Sequence, residues 1–145
     1  MRSVRRLAAV AATILALTVL VPSVAAVAPH SGDLYLTKDC STEPYAGAAG
    51  DYCTFTSTFD AITSGSKIYY SSAADFGTGI LSSDVVIVVG RGTTATGHCT
   101  LDLSTGAGYC SILKGTGGLA GFHASVSVSW LGGADYAWTG TYGYH

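Results

Sequence analysis

Asp84 stands directly before the unbroken apolar run Val85-Val86-Ile87-Val88-Val89. A carboxylate beside so apolar a stretch is open to desolvation, which raises its pKa toward the range useful to a general acid. Asp84 is therefore the candidate catalytic residue, although Ser83 and Asp84 would equally serve to cap the loop entering the run. Arg91, in Gly90-Arg91-Gly92, is the one arginine beyond the first six residues. It has the charge to bind an anionic ligand, or it simply solvates a turn. Tyr136, Trp138, Tyr142 and Tyr144 share one parity of the last apolar run, and Trp130 ends the apolar parity set of the run before it. Inside a barrel these side chains would wall a pocket for a flat apolar ligand, Trp138 by stacking and Tyr142 and Tyr144 by donating. The same set would also serve as a packed aromatic core, because an eight-stranded barrel is only just wide enough for its own side chains.

Other chemistries find no support. The chain has no G-x-S-x-G, no H-E-x-x-H, and neither Asn nor Gln, so any oxyanion hole would have to be built from backbone N–H groups. His98, His123 and His145 come from different apolar runs, and a three-His metal site is geometrically conceivable. His98 and His123 nevertheless sit on the polar parity of their runs and read as solvent-facing, so neither a metal nor another cofactor is expected. Gly115-Thr116-Gly117-Gly118-Leu119-Ala120 formally matches the G-x-G-x-x-A dinucleotide fingerprint. That fingerprint works by turning into a helix N-terminus, whereas an apolar strand run follows here, so a glycine turn is expected.

The elements that must position these residues are strands. Beyond Ala26 no stretch of ten residues carries helical apolar spacing, while β-branched and aromatic residues recur in short runs between Gly, Ser and Asp. The runs are Asp33–Lys38, Tyr52–Phe59, Lys67–Ser71, Ile80–Val89, Thr94–Leu103, Gly108–Leu113, Phe122–Trp130 and Tyr136–Tyr144, eight in one short domain, which predicts a barrel or sandwich. In the seventh run Phe122, Ala124, Val126, Val128 and Trp130 oppose His123, Ser125, Ser127 and Ser129, so one face is buried and the other wet. Val85–Val89 does not alternate, which implies cover on both faces, from the core on one side and from a loop or a second subunit on the other.

Four cysteines in one small domain read as two disulfides. A hairpin turning at Ser104–Gly108 would set Cys99 opposite Cys110 within a residue of register, and Cys40 and Cys53 flank the connection between the first two runs. Pairings 40–53 and 99–110 are favoured over the other two combinations. Their role is structural, since the C-x-x-C spacing of redox sites is absent.

Met1–Arg6 holds three arginines, Leu7–Val21 is apolar, Pro22 interrupts, and Val24-Ala25-Ala26 ends in small residues. This is the layout of a signal peptide spanning residues 1–26, with a single domain over 27–145 whose first residues, 27–32, form a loose arm. A membrane anchor is disfavoured because the apolar run is short for a span of about 20 residues. Secretion to a periplasmic or extracellular compartment agrees with the disulfides. Past residue 26 only Lys38, Lys67, Arg91 and Lys114 oppose nine acids, so there is no basic stripe for nucleic acid or an anionic membrane surface.

Thr96-Gly97-His98-Cys99-Thr100-Leu101-Asp102-Leu103, then Gly106-x-Gly108-x-Cys110, then Gly115-Thr116-Gly117-Gly118-Leu119-Ala120-Gly121-Phe122, and finally Trp138-x-Gly140-Thr141-Tyr142 together resemble a bacterial secreted member of the allene oxide cyclase-like, dirigent-like barrel superfamily. The resemblance covers residues 33–145. It implies an all-β, eight-stranded antiparallel barrel, commonly a homotrimer, whose apolar lumen steers a reactive intermediate into one geometry. The family's first-strand Glu has no counterpart in Asp33-Leu34-Tyr35-Leu36-Thr37-Lys38, and the dirigent acid and arginine pattern has no match. The expected function is binding of a small apolar molecule, with steering of its cyclisation or isomerisation as the enzymatic extension. A non-enzymatic structural or interaction barrel is the alternative.

Overall fold

Alternation of apolar and polar residues dictates the observed architecture. In a computed structural model that describes residues 31–41 and 45–145, the eight strands are β1 (Ser31–Asp39), β2 (Tyr52–Phe55), β3 (Lys67–Tyr70), β4 (Ile80–Gly90), β5 (Thr93–Asp102), β6 (Ala107–Thr116), β7 (Phe122–Gly132) and β8 (Asp135–Tyr144). The expected leader, residues 1–26, lies outside the described residues. Every strand is antiparallel to its sequence neighbours, and β1 pairs with β8 from Ser31↔Gly143 to Asp39↔Asp135, which closes the barrel. Ser31 and Gly32 therefore belong to a strand and not to a loose arm, because the β8 ladder extends to meet them. Among the described residues no helix is long and apolar enough to cross a membrane.

Inward positions fill the lumen with Leu34, Leu36, Phe55, Ile68, Val85, Ile87, Ile112, Phe122, Val126 and Trp138, all buried. At the end of the barrel holding Phe122 and Tyr142, the β2–β3 loop folds inward. Phe59 bridges to Ile62 and sets its ring 4.6 Å from that of Tyr142, edge on, so this end is plugged by aromatic packing. The glycine-rich segment after β6 forms a single 3-10 turn, Gly117–Leu119, that buries Leu119 and leads into β7, as its strand context implied.

Inward glycines let the strands coil tightly enough to close. A Cβ on Gly140 would be driven into the Ser125 carbonyl oxygen and the Val126 backbone of β7, and one on Gly97 into the Ser111 carbonyl oxygen of β6. Gly140→Ala should therefore destabilise the fold by about 1–3 kcal/mol through overpacking. Thr139→Ala, on the exposed outer face, should stay within about 0.5 kcal/mol. Chemical denaturation of the two variants checks the pair.

Both disulfides form as the spacing predicts: Cys40–Cys53 with a Cα separation of 4.4 Å and Cys99–Cys110 with 4.1 Å. Cys99 and Cys110 are direct cross-strand partners, and Cys40 and Cys53 continue the register set by Lys38↔Phe55 and Asp39↔Thr54.

The Val85–Val89 run has its cover in the ladder. Val85 and Ile87 point into the core, while Val86 and Val88 face outward and are half-buried beside their cross-strand neighbours Tyr69, Thr96, Lys67 and Thr94. Outside this patch Tyr52 and Tyr69 pair at 5.2 Å, and the Lys67 ammonium lies 4.3 Å from the Tyr52 ring centroid.

Candidate functional site

Strand β1 carries Leu34, Leu36 and Lys38 on one parity, and the barrel turns that parity inward. Lys38 is consequently only 4% exposed. Its Nζ donates to the Tyr70 hydroxyl at the end of β3. It also lies 5.1 Å from the ring centroid of Tyr70, 5.7 Å from that of Tyr136 and 5.5 Å from that of Trp138. Below it the Trp138 ring meets Phe55 edge-on at 5.3 Å. The Trp138 Nε1–H is buried with no hydrogen-bond partner.

Lys38 and Tyr70 form the polar wall of a cavity of about 290 Å³ at this end of the barrel. Tyr45, Tyr136, Leu81, Leu101 and the Cys40–Cys53 disulfide complete the wall together with Leu103, Gly133 and Ala134. Among the described residues no carboxylate lines it. Burial pulls the Lys38 amine down from 10.5 to about 7. Burial likewise pushes the Tyr70 phenol well above its ordinary value, with further contributions from Tyr45 and Tyr136. It pushes Tyr45 up to about 12, helped by Tyr136 and Asp51. The site thus holds an amine that is half neutral near pH 7 beside a phenol that keeps its proton. An apolar ligand with one carbonyl or carboxyl group would find a single polar anchor here.

Of the residues singled out from sequence, Tyr136 belongs to this cavity. Trp138 packs against Lys38 as part of the filled core. Tyr142 and Tyr144 face inward at the opposite end, where they pack on Phe122 at 6.2 and 5.4 Å, and are not brought together with Tyr136 at the cavity. Trp130 has the inward parity but is 55% exposed. Strand β7 has passed the barrel rim by that point, and the indole N–H donates to the Gly133 carbonyl of the following turn. Arg91 is exposed in the β4–β5 turn, remote from the cavity.

Asp84 corrects the expectation of a desolvated acid. Its side chain is 82% exposed on the outer face of β4, because the inward parity of that strand belongs to Leu81, Ser83, Val85 and Ile87. There it pairs with its cross-strand partner His98, Nδ1 to Oδ1 at 2.8 Å, and the far ring nitrogen of His98 meets the Ser82 hydroxyl at 3.0 Å. This row has the order of a Ser-His-Asp relay. It nevertheless lies open to water on the outer face of the sheet, with the Asp84 side chain 82% and the His98 side chain 46% exposed, so a developing charge there would meet solvent and not a preorganised, water-excluded pocket. Its role is cross-strand pairing. Asp84→Asn should accordingly shift stability by less than about 1 kcal/mol and leave ligand occupancy of the lumen unchanged, as thermal melts and a binding titration would report.

The other two candidate histidines lie elsewhere. His123 of β7 stacks on His145 at 3.9 Å, and among the described residues no group of three potential metal ligands converges on these histidines or on His98. Lys38 and Tyr70 were absent from the sequence-based candidates, although the shared parity of Leu34, Leu36 and Lys38 carried the signal. No family model, curated protein or solved structure matches the chain.

Proposed function

We propose that the protein is a secreted barrel that binds a small, largely apolar molecule at the Lys38 end of its lumen and restricts that molecule's conformation. Such restriction is the main requirement for steering a cyclisation or isomerisation. The observation that carries this reading is the cavity of about 290 Å³, apolar except for the Lys38 amine and the tyrosine hydroxyls. Small-molecule sites have this composition: mostly hydrophobic walls with a few convergent polar groups. The resemblance to allene oxide cyclase-like and dirigent-like barrels supports the same reading. The arginine-rich, apolar leader and the two disulfides support export to an oxidising compartment.

A purely structural barrel is the competing reading, favoured by the aromatic plug at the Tyr142 end. Native mass spectrometry of the disulfide-intact protein separates them. A retained small molecule, or uptake from a panel of apolar aldehydes, phenols and polyenes that Tyr136→Trp blocks by filling the cavity, is the expected result. A protein that stays empty against the whole panel would leave the structural reading standing. The same spectrum reports whether the assembly is the trimer the resemblance implies.

A further inference from the structure

Among the cavities, side-chain clusters and exposed patches, the cavity around Lys38 carries the argument furthest. We propose that Lys38 is a carbonyl-capturing amine, and that the lumen takes a small apolar aldehyde and holds it as an imine on Nζ. This rests on the reading that the cavity admits a ligand, and it specifies the ligand's reactive group.

The geometry supplies what imine formation needs. The amine sits in the cavity wall, not on the surface, so a bound aldehyde meets it without competing for bulk water. The cavity has room for about ten non-hydrogen atoms, taking about 30 Å³ per water-sized group. The Tyr70 hydroxyl touches Nζ and is the nearest proton source. In the addition step the Nζ lone pair forms a bond to the carbonyl carbon, the C=O π pair moves to oxygen, and one N–H proton passes from the nitrogen to that oxygen, giving a neutral carbinolamine. In the second step the nitrogen gives its remaining proton to the Tyr70 oxygen while the Tyr70 hydroxyl proton passes to the departing hydroxyl, which leaves as water as the nitrogen pair closes the C=N bond. The sum is amine plus aldehyde giving imine plus water, with no oxidant or reductant. If the imine takes up a proton, its charge faces the rings of Tyr70, Tyr136 and Trp138, which already surround Nζ.

The groups facing Lys38 are the phenols of Tyr70 on β3, Tyr136 on β8 and Tyr45 on the β1–β2 connection, and none of the described lining residues is acidic. Near pH 7 about half of the Lys38 amine is neutral, against about one part in a few thousand for an ordinary lysine. Lower basicity takes back part of that advantage in nucleophilicity.

The test is reductive trapping. Disulfide-intact protein is incubated with benzaldehyde and sodium cyanoborohydride at pH 7, and the benzylated lysines are located by peptide mapping. Benzyl alcohol, of the same shape without the electrophile, is titrated separately for non-covalent binding. The expected result is labelling of Lys38 at least about tenfold faster than of Lys67 or Lys114. Labelling should fall as the pH is lowered below 7. In Tyr70→Phe the limiting labelling rate at saturating benzaldehyde should fall about tenfold, read separately from any change in the half-saturating concentration. Lys38→Met, which relieves a buried amine and so should fold, should lose only the Lys38 adduct. If benzyl alcohol binds while Lys38 labels no faster than Lys67 and Lys114, the imine proposal is overturned and the binding reading survives. If benzyl alcohol does not bind and Lys38 is not labelled, both fall.

Discussion

Raising the pH from 7 toward 10 should stabilise the fold by several kcal/mol, and replacing Lys38 with methionine should abolish that gain. The amine has a folded-state value of about 7 and an ordinary value of 10.5 once the chain unfolds. Between those limits the unfolded chain holds a proton that the folded chain has released, so stability rises with pH throughout the window. Below pH 7 both states are protonated and the group adds no further slope. The full interval corresponds to at most about 4–5 kcal/mol, lessened by any water that enters the cavity. Above pH 10 the sign reverses. The raised values of Tyr70 and Tyr45 keep their protons in the folded state while the unfolded chain loses them, so stability then falls as pH rises. A stability maximum near pH 10 is the signature. At pH 6, Lys38→Met should exceed the parent by most of the penalty, less about 1 kcal/mol for the hydrogen bond that Tyr70 loses. Guanidinium midpoints at pH 6, 8 and 9.5 for both proteins decide it. A flat profile in the parent, or a slope that persists in the variant, would refute the account of a desolvated amine.

The second large effect belongs to the disulfides. Each closes a short loop, with sequence separations of 13 and 11, and chain-entropy loss in the unfolded state predicts about 3 kcal/mol of stabilisation apiece. Their structural roles differ. Cys99–Cys110 crosses the middle of a β5–β6 ladder that runs from Thr94↔Thr116 to Asp102↔Ala107, so the strands stay paired when it is removed. Cys40–Cys53 extends a seam in which β1 and β2 share only Lys38↔Phe55 and Asp39↔Thr54. It also walls the cavity. Cys40→Ala/Cys53→Ala should lose about 3 kcal/mol, expose the β1 and β2 amides to fast hydrogen exchange, and weaken binding in the lumen. Cys99→Ala/Cys110→Ala should lose a similar amount while the β5 and β6 amides still exchange only through global unfolding. Equal exchange patterns in the two variants would refute the distinction.

Most of the barrel was legible because its strands alternate. Phe122–Trp130 declares one apolar face, and the disulfides follow from hairpin register. The site was harder to read for three physical reasons. A lysine on the polar end of a short run looks like a solvated cation, and only the inward parity of Leu34 and Leu36 places its amine in the core. The Val85–Val89 run masks parity because its outer valines are half-covered by Tyr69, Lys67 and Thr96, so the outward direction of Asp84 could not be taken from its apolar neighbours. Trp130 has the right parity, but where a strand leaves the barrel is set by the ladder, which shifts register between Trp130 and Gly132.

Because β1 is zipped to β8, the ring is completed by the two strands farthest apart along the chain, whereas each of the other strand pairs joins neighbours in sequence. Assembly should therefore proceed as a ribbon of hairpins that curls up late. The slow event is the meeting of residues about a hundred positions apart, and the transition state carries the entropy of that closure. The two sulfur bridges, being local to their hairpins, can form on the open ribbon before the ring exists. Oxidation can thus select the correct pairing without waiting for the finished fold, an advantage for a chain that collapses only after its last strand is available.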